Sequence, residues 1–229
     1  MDEATLILVC KKPAPGIGKQ RLAANLGNGM TQKVAEALLA CALEDACDWP
    51  GPVVIAPANV EDVEWARALS TPVPSPVTVV PQVAGNLGQR LNALDQTLRA
   101  QGMKQLVFIG SDSPGLDSAD YATTREALQH ADIVLIPALD GGVVLMASRC
   151  AWPDLSALPW SSDQLGAELI NACHNARQTV KTLRPGTDVD EIGDFVKLVN
   201  LLKHDQRPAR RLLLKLTKNI LSTLKIANA

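Results

Sequence analysis

Apolar residues along this chain gather in short unbroken runs. TLILVC (5–10), VVIAPA (53–58), VTVVP (77–81), LVFIG (106–110) and DIVLIPA (132–138) are each bounded by turn residues, which predicts strands. Between them the apolar positions recur at helical spacing, over 31–47, 60–69, 86–102 and 118–131. Thr31 is placed to cap the first of these helices and Gly102 to end the third. Strands that are apolar throughout, alternating with helices, predict a three-layer α/β fold, a mostly parallel sheet with helices on both faces. Ligands of such sheets sit beyond the carboxyl ends of the strands.

The pattern changes at DIVLIPALDGGVVLMAS (132–148), where two apolar runs flank Asp140-Gly141-Gly142. This predicts a hairpin instead of a helical crossover. A Pro-, Trp- and Ser-rich stretch follows, then a helix near 162–176, a short strand TVKTL (179–183) and the segment RPGTDVDEIGDF (184–195). From 207 the chain reads as one helix, with Ala209, Leu212, Leu213, Leu216, Ile220 and Leu224 on one face. Arg210, Arg211, Lys215 and Lys218 occupy much of the remainder. Such a helix can pack on its own sheet, form a dimer seam or lie on anionic lipid as a peripheral membrane contact. The organisation expected is a nucleotide-binding domain over 1–196 and a basic amphipathic extension over 197–229.

Composition narrows the classes. With 47% hydrophobic residues, the 229-residue chain can bury a sizeable core, and its apolar runs are far too short to span a bilayer. Five cysteines without a C-x-x-C pair are expected to be reduced thiols, consistent with a cytoplasmic location. Three scattered histidines argue against a zinc site. The chain carries a net charge of −2, but from Lys197 onward eight Lys or Arg face one Asp, leaving −9 on residues 1–196. That acidic body excludes nucleic acid as an expected partner.

Candidate chemistry begins directly after the first strand, in KKPAPGIGKQRL (11–22). A Walker A loop fails because Pro13 stands where its first glycine belongs and Gln20 where its hydroxyl belongs. The dinucleotide fingerprint fails because Arg21 stands at its third glycine. What remains is a turn at Pro15 and Gly16 that lets backbone N–H groups approach an anion. Beyond it lie Lys19 as a mobile point charge and Arg21 as a planar fork for phosphate oxygens. A solvated basic turn is the competing explanation.

Further stretches are GNLGQRL (85–91), GSDSPGL (110–116), ALDGGVVLM (138–146) and TDVDEIGDF (187–195), with PWSS (159–162) beside them. Together with PAPGIGKQRL, in this order, they resemble a bacterial glycosyltransferase-A-like family, the radical-SAM/selenodomain-associated transferase type. That family is related to phospholactate and molybdenum-cofactor guanylyltransferases, and the resemblance covers about residues 4–196. Lys19, Arg21, Gly88, Arg90, Asp112, Pro114, Asp140, Gly141, Gly142 and Trp160 match its motifs. Gln20, Asn86, Val143 and Val144 depart from a threonine, an acid and two aromatic residues.

The resemblance implies a nucleotide-diphospho-sugar transferase fold, with Asp112, at the end of a strand, holding Mg2+ or Mn2+, while a cap on the turn that follows is the competing explanation for Asp112. Pro15, Gly16, Lys19, Arg21, Asn86, Gly88 and Arg90 would form the nucleotide site. Asp188 and Asp190, two apart in an extended segment, point the same way and could complete the metal site through Asp190. Asp190 serving only to start the next helix is the rival explanation. Asn86 is equally expected as a helix N-cap. Asp140, Gly141, Gly142 and Trp160 would line the acceptor site, although turn formation and buried packing account for them as well.

The activity implied is transfer from an activated nucleotide. Glycosyl transfer from a nucleotide-sugar to a small-molecule or lipid-linked acceptor leads. Nucleotidyl transfer from a nucleoside triphosphate to a small phosphorylated acceptor, with release of pyrophosphate, stands beside it. A degenerate, non-catalytic nucleotide- or partner-binding domain is the third alternative, motivated by the four departures.

Overall fold

The computed structural model describes residues 3–227. Met1, Asp2, Asn228 and Ala229, the outermost residues of the two expected segments, lie outside them. Seven strands form one sheet: β1 (Thr5–Cys10), β2 (Val53–Pro57), β3 (Val77–Val79), β4 (Leu106–Ile109), β5 (Ile133–Pro137), β6 (Val143–Ser148) and β7 (Val180–Thr182). Their order is β3-β2-β1-β4-β6-β5-β7. All neighbours pair in parallel except β6, which is antiparallel to both β4 and β5. The expected hairpin at 140–142 joins β5 to β6.

Among the described residues seven α-helices surround the sheet: α1 (Gln20–Asp48), α2 (Val63–Leu69), α3 (Leu87–Ala100), α4 (Ser118–Ala127), α5 (Leu165–Asn175), α6 (Asp194–Leu202) and α7 (Pro208–Ala227). Alternation along each strand divides the core. Leu6, Leu8, Val53, Ile55, Val107 and Ile109 face Leu39, Ala42 and Ala46 of α1, Ala66 of α2 and Tyr121 of α4. Ile7, Val54, Leu106 and Phe108 face Leu91, Leu94 and Leu98 of α3 and Leu169 of α5. These are the three layers predicted.

Helix α1 departs from expectation. It starts at Gln20, eleven positions before Thr31, and runs on through a kink at Gly27 (φ 72°, ψ 161°). Gly27 and Gly29 lower helix propensity there, which hides the first turns from a periodicity reading. Burial of Leu22 in a third cluster holds those turns in place. Thr31 is therefore not a cap but a buried residue within the helix.

The third cluster joins Leu22, Val34, Leu38 and Cys41 of α1 to Phe195, Leu198 and Leu202 of α6 and to Leu213 and Ile220 of α7. Thus α7 packs on its own chain, and α6 crosses position 196/197. Two expectations for α7 are corrected. Leu212 is exposed, and Arg210, placed by sequence on the cationic side, is completely buried. Among the described residues no helix is long and apolar enough to cross a membrane.

Candidate functional site

A cavity of about 490 Å3 opens at the carboxyl ends of β1 and β4. The chain leaves β1 through Lys11 and Lys12, turns at Gly16 (φ 77°) and Gly18 (φ 68°), and enters α1 through Lys19. Left-handed backbone is open to glycine, and the two glycines let the loop fold back over the strand end. Gln20, in place of the threonine of the resembled motif, closes this turn by donating from Nε2 to the Gly16 carbonyl at 2.8 Å.

Lys19 Nζ donates to Asp112 Oδ2 at 2.9 Å and also to Asp190 Oδ1. These residues come from three separate places: the loop after β1, the loop after β4, and the segment between β7 and α6. Burial alone would lower the Lys19 pKa, but Asp112 and Asp190 outweigh it and hold the ammonium above its ordinary value. The main chain ties the two acidic segments together, because Val189 N–H donates to the Asp112 carbonyl at 3.0 Å. Asp188 lines the same cavity. Burial, followed by the charges of Asp140, Asp190 and Asp112, pushes its carboxyl up to about 6.

Asp190 does not begin α6. The N-cap position is Gly193, without a side-chain cap, and Asp194, the first residue of α6, turns back so that its Oδ2 accepts from the N–H groups of Asp190 and Glu191, both at 3.0 Å. Its pKa is lowered by these bonds and by Lys197, against the opposing effect of burial. The Asp190 carboxylate is thereby left for Lys19.

The other expected residues divide. Arg90 lines the cavity and also a neighbouring one of about 500 Å3, shared with Lys11, Lys12, Gly16 and Gly18. Trp160 lines the main cavity while its Nε1–H donates to the Leu155 carbonyl at 2.9 Å. Pro15 and Arg21 are exposed and line neither cavity. Arg21 lies in the first turn of α1, one residue past the position that turns Gln20 back over the loop.

Asn86 caps α3 in a reciprocal box with Gln89, its Oδ1 accepting from Gln89 N–H at 3.0 Å. Its amide also donates to the Ser156 carbonyl. Gly88 is a packing residue, since a Cβ there would lie 2.0 Å from the Leu155 carbonyl oxygen. Asp140, Gly141 and Gly142 likewise build the hairpin and do not line the main cavity. Asp140 Oδ1 accepts from Gly142 N–H at 3.0 Å, and a Cβ on Gly141 would strike the Asp163 backbone. Their successors Val143 and Val144 do line it.

The sequence reading missed Lys11, Lys12, Gln82 and Ser113 as cavity residues. Each follows the end of a strand or sits in the loop beyond it, so the carboxyl-end rule would have found them. Gln82 Nε2 donates to the Ala56 carbonyl at 2.7 Å, which fixes the amide. Its Oε1, Ser113 Oγ and Arg90 Nε are buried without a hydrogen-bond partner among the described residues. Burial lowers the Arg90 pKa.

Asp112 and Asp190 already converge on one cation, the Lys19 ammonium, with Asp188 close by. Their hard oxygens suit Mg2+ or Mn2+. Among the described residues no set of three His, Cys, Asp or Glu side chains converges. Two carboxylates are what such an ion takes from protein when phosphate oxygens and water complete its shell. The residues fit the group. All five cysteines are free, and burial pushes the thiols of Cys10, Cys41 and Cys173 up to about 12, which disqualifies them as nucleophiles.

Residues 39–162, more than half of the chain, match the family described as "Uncharacterized protein conserved in bacteria (DUF2064)". No curated protein matches. Among solved structures, a Desulfovibrio desulfuricans G20 protein, itself a proposed nucleotide-diphospho-sugar transferase, is similar with a TM-score of 0.82 at 23% identity. The match covers 96% of this chain and 98% of that one. A cytidylyltransferase from Leptospira borgpetersenii serovar Hardjo-bovis gives 0.52 at 13% identity, over 97% and 96% of the two chains. A 4-diphosphocytidyl-2C-methyl-D-erythritol synthase from Anaerococcus prevotii gives 0.50 at 12%, over 85% and 96%. At such identities the likeness is one of fold: this chain has the nucleotide-diphospho-sugar transferase fold.

Proposed function

The chain belongs to the family of uncharacterized bacterial proteins DUF2064, and from its fold and site we propose that it is a metal-dependent transferase acting on an activated nucleotide. The observation that carries the reading is the meeting of Lys19, Asp112 and Asp190 in one cavity at the strand ends. A diphosphate entering there meets Lys11, Lys12, Lys19 and Arg90, and Lys19 exchanges carboxylate partners for phosphate oxygens. Asp112 and Asp190 are the residues that would hold Mg2+ or Mn2+, which when bound would neutralise the negative charge on the phosphates. The unpartnered Gln82 Oε1 and Ser113 Oγ support a ligand-binding role, because buried polar atoms are costly to leave unmatched.

Glycosyl transfer from a nucleotide-sugar is the leading reaction. An acceptor hydroxyl attacks the anomeric carbon, the bond to the diphosphate oxygen breaks, and nucleoside diphosphate leaves. Trp160 in the cavity wall supports it, since aromatic rings pack on sugar rings. Nucleotidyl transfer is favoured by a different observation. The adjoining cavity at Lys11, Lys12, Gly16 and Gly18 offers room and charge for a third phosphate. There an acceptor phosphate oxygen would attack the α-phosphorus and pyrophosphate would leave.

Thermal-shift screening of nucleoside triphosphates and nucleotide-sugars with Mn2+ identifies the donor. Product analysis then decides the reaction. Nucleoside diphosphate supports glycosyl transfer and pyrophosphate supports nucleotidyl transfer. Binding with no turnover in any pairing leaves the non-catalytic alternative. Asp112→Ala is expected to abolish turnover in a folded protein, and retained turnover would overturn the assignment of the site.

A further inference from the structure

We infer that Arg210 of α7 is a positioning residue for Asp112, acting as a clamp on the loop that carries it; the inference rests on the assignment of Asp112 to the site. Residues 110–117, between β4 and α4, form no regular structure, so their carbonyls need partners outside any ladder. Two of them find arginines of the carboxyl-terminal segment. Arg210 Nε donates to the Pro114 carbonyl at 3.2 Å and Nη2 to the Leu116 carbonyl at 3.4 Å. Arg207 Nη2 donates to the same Leu116 carbonyl at 3.1 Å.

The other edge of the Arg210 guanidinium grips α1. Nη2 donates to both Asp45 oxygens at 2.7 Å, and Nη1 to Glu44 Oε2 at 3.0 Å and to the Cys41 carbonyl. The residue is wholly buried. Every nitrogen of the group is engaged, and its planar fork can hold partners on two sides at once. A lysine ammonium keeps the charge opposite Asp45 but has only three donors at a single point. It cannot hold Pro114, Leu116 and the α1 groups together.

On its far side, Asp112 is fixed by the bond from Val189 N–H to its carbonyl. The carboxylate that faces Lys19 thus hangs on main chain pinned at residue 189 on one side and at 114 and 116 on the other. Arg210 lines none of the cavities described above, so its effect on the site is indirect.

The test compares wild type, Arg210→Lys and Leu213→Ala, the last lowering overall stability through the third cluster while every donor of the clamp remains. Hydrogen exchange in peptides covering 110–116 is expected to quicken in Arg210→Lys beyond any change in the β1 and β2 peptides, whereas in Leu213→Ala the 110–116 peptides should quicken no more than β1 and β2 do. Mn2+ binding in the presence of inorganic pyrophosphate, read from the free-ion EPR signal, is expected to weaken about tenfold in Arg210→Lys, the scale seen when a group supporting a metal ligand is lost. Pyrophosphate binding without Mn2+, carried by the lysines, should not move.

If Arg210→Lys and Leu213→Ala behave alike in exchange and in Mn2+ affinity, the clamp is refuted while the proposed function stands. A wild type that binds neither Mn2+ nor pyrophosphate refutes the proposed function and the role assigned to Arg210 with it. Should Arg210→Lys fail to fold, Arg207→Met removes the second donor to Leu116 and is read by the same two measurements, with the same outcomes decisive.

Discussion

Lys19 adopts φ 48°, a left-handed conformation that costs a side-chain-bearing residue on the order of 1 kcal/mol. Its ion pairs with Asp112 and Asp190 offset that cost and hold the ammonium at the cavity floor. Lys19→Ala is expected to weaken nucleotide binding at least tenfold, a loss of about 1.4 kcal/mol or more, measurable by calorimetry. Asp188 makes a pH prediction. Its carboxyl keeps its proton to about 6 in the folded protein and loses it near 3.8 in the unfolded chain. Across that window the folded state binds more protons, so stability falls as pH rises, and the deficit is complete above about 6. In metal-free buffer, Asp188→Asn should therefore melt higher than wild type at pH 8 and close to it at pH 4. A wild-type advantage at pH 8 would contradict the origin assigned to the shift. Lys19 could be singled out in the sequence as a charge beyond the glycine turn after β1, and Asp112 as an acid past the end of β4 that matched the resembled motif. Arg210 was not, because its partners Cys41, Glu44, Asp45, Pro114 and Leu116 are remote in the chain and a helical wheel sees only a cation among cations.

At the scale of elements, the strands and most helices follow from hydrophobic period. Asn86 was foreseen as the start of α3, and its box with Gln89 confirms the local reading. The early start of α1 was hidden because two glycines interrupt the pattern, and only packing of Leu22 restores it. Neither Asp190 nor Asp194 caps α6, whose N-cap position is Gly193, and spacing alone does not show that Asp194 bonds back to the main chain at 190 and 191. Helix α3 meets the 155–160 loop with no room at Gly88, where an added Cβ would lie 2.0 Å from a carbonyl oxygen and 2.7 Å from Trp160 Nε1. Gly88→Ala should destabilise the protein by about 2 kcal/mol, in the range of overpacking, and displace Trp160. Denaturant melts and tryptophan fluorescence check both.

For the whole molecule, the third cluster makes α7 part of one folded body with α1 and α6. Leu213, fully buried there, contributes the most direct measure: Leu213→Ala should cost about 3 kcal/mol of unfolding free energy. A variant within about 0.5 kcal/mol of wild type would show that the cluster does not hold α7 as described. The amphipathic tail was visible in the sequence, but which surface it covers depends on contacts spanning the whole chain. The sheet carries a consequence of its own. Because β6 runs against β4 and β5, it brings its opening residues, Val143 and Val144, to the rim where the parallel strands bring their last. On the proposed function, selectivity for the transferred group would drift through these two aliphatic positions while the cations of the opening loop were left intact, which would separate what the protein holds from what it chooses.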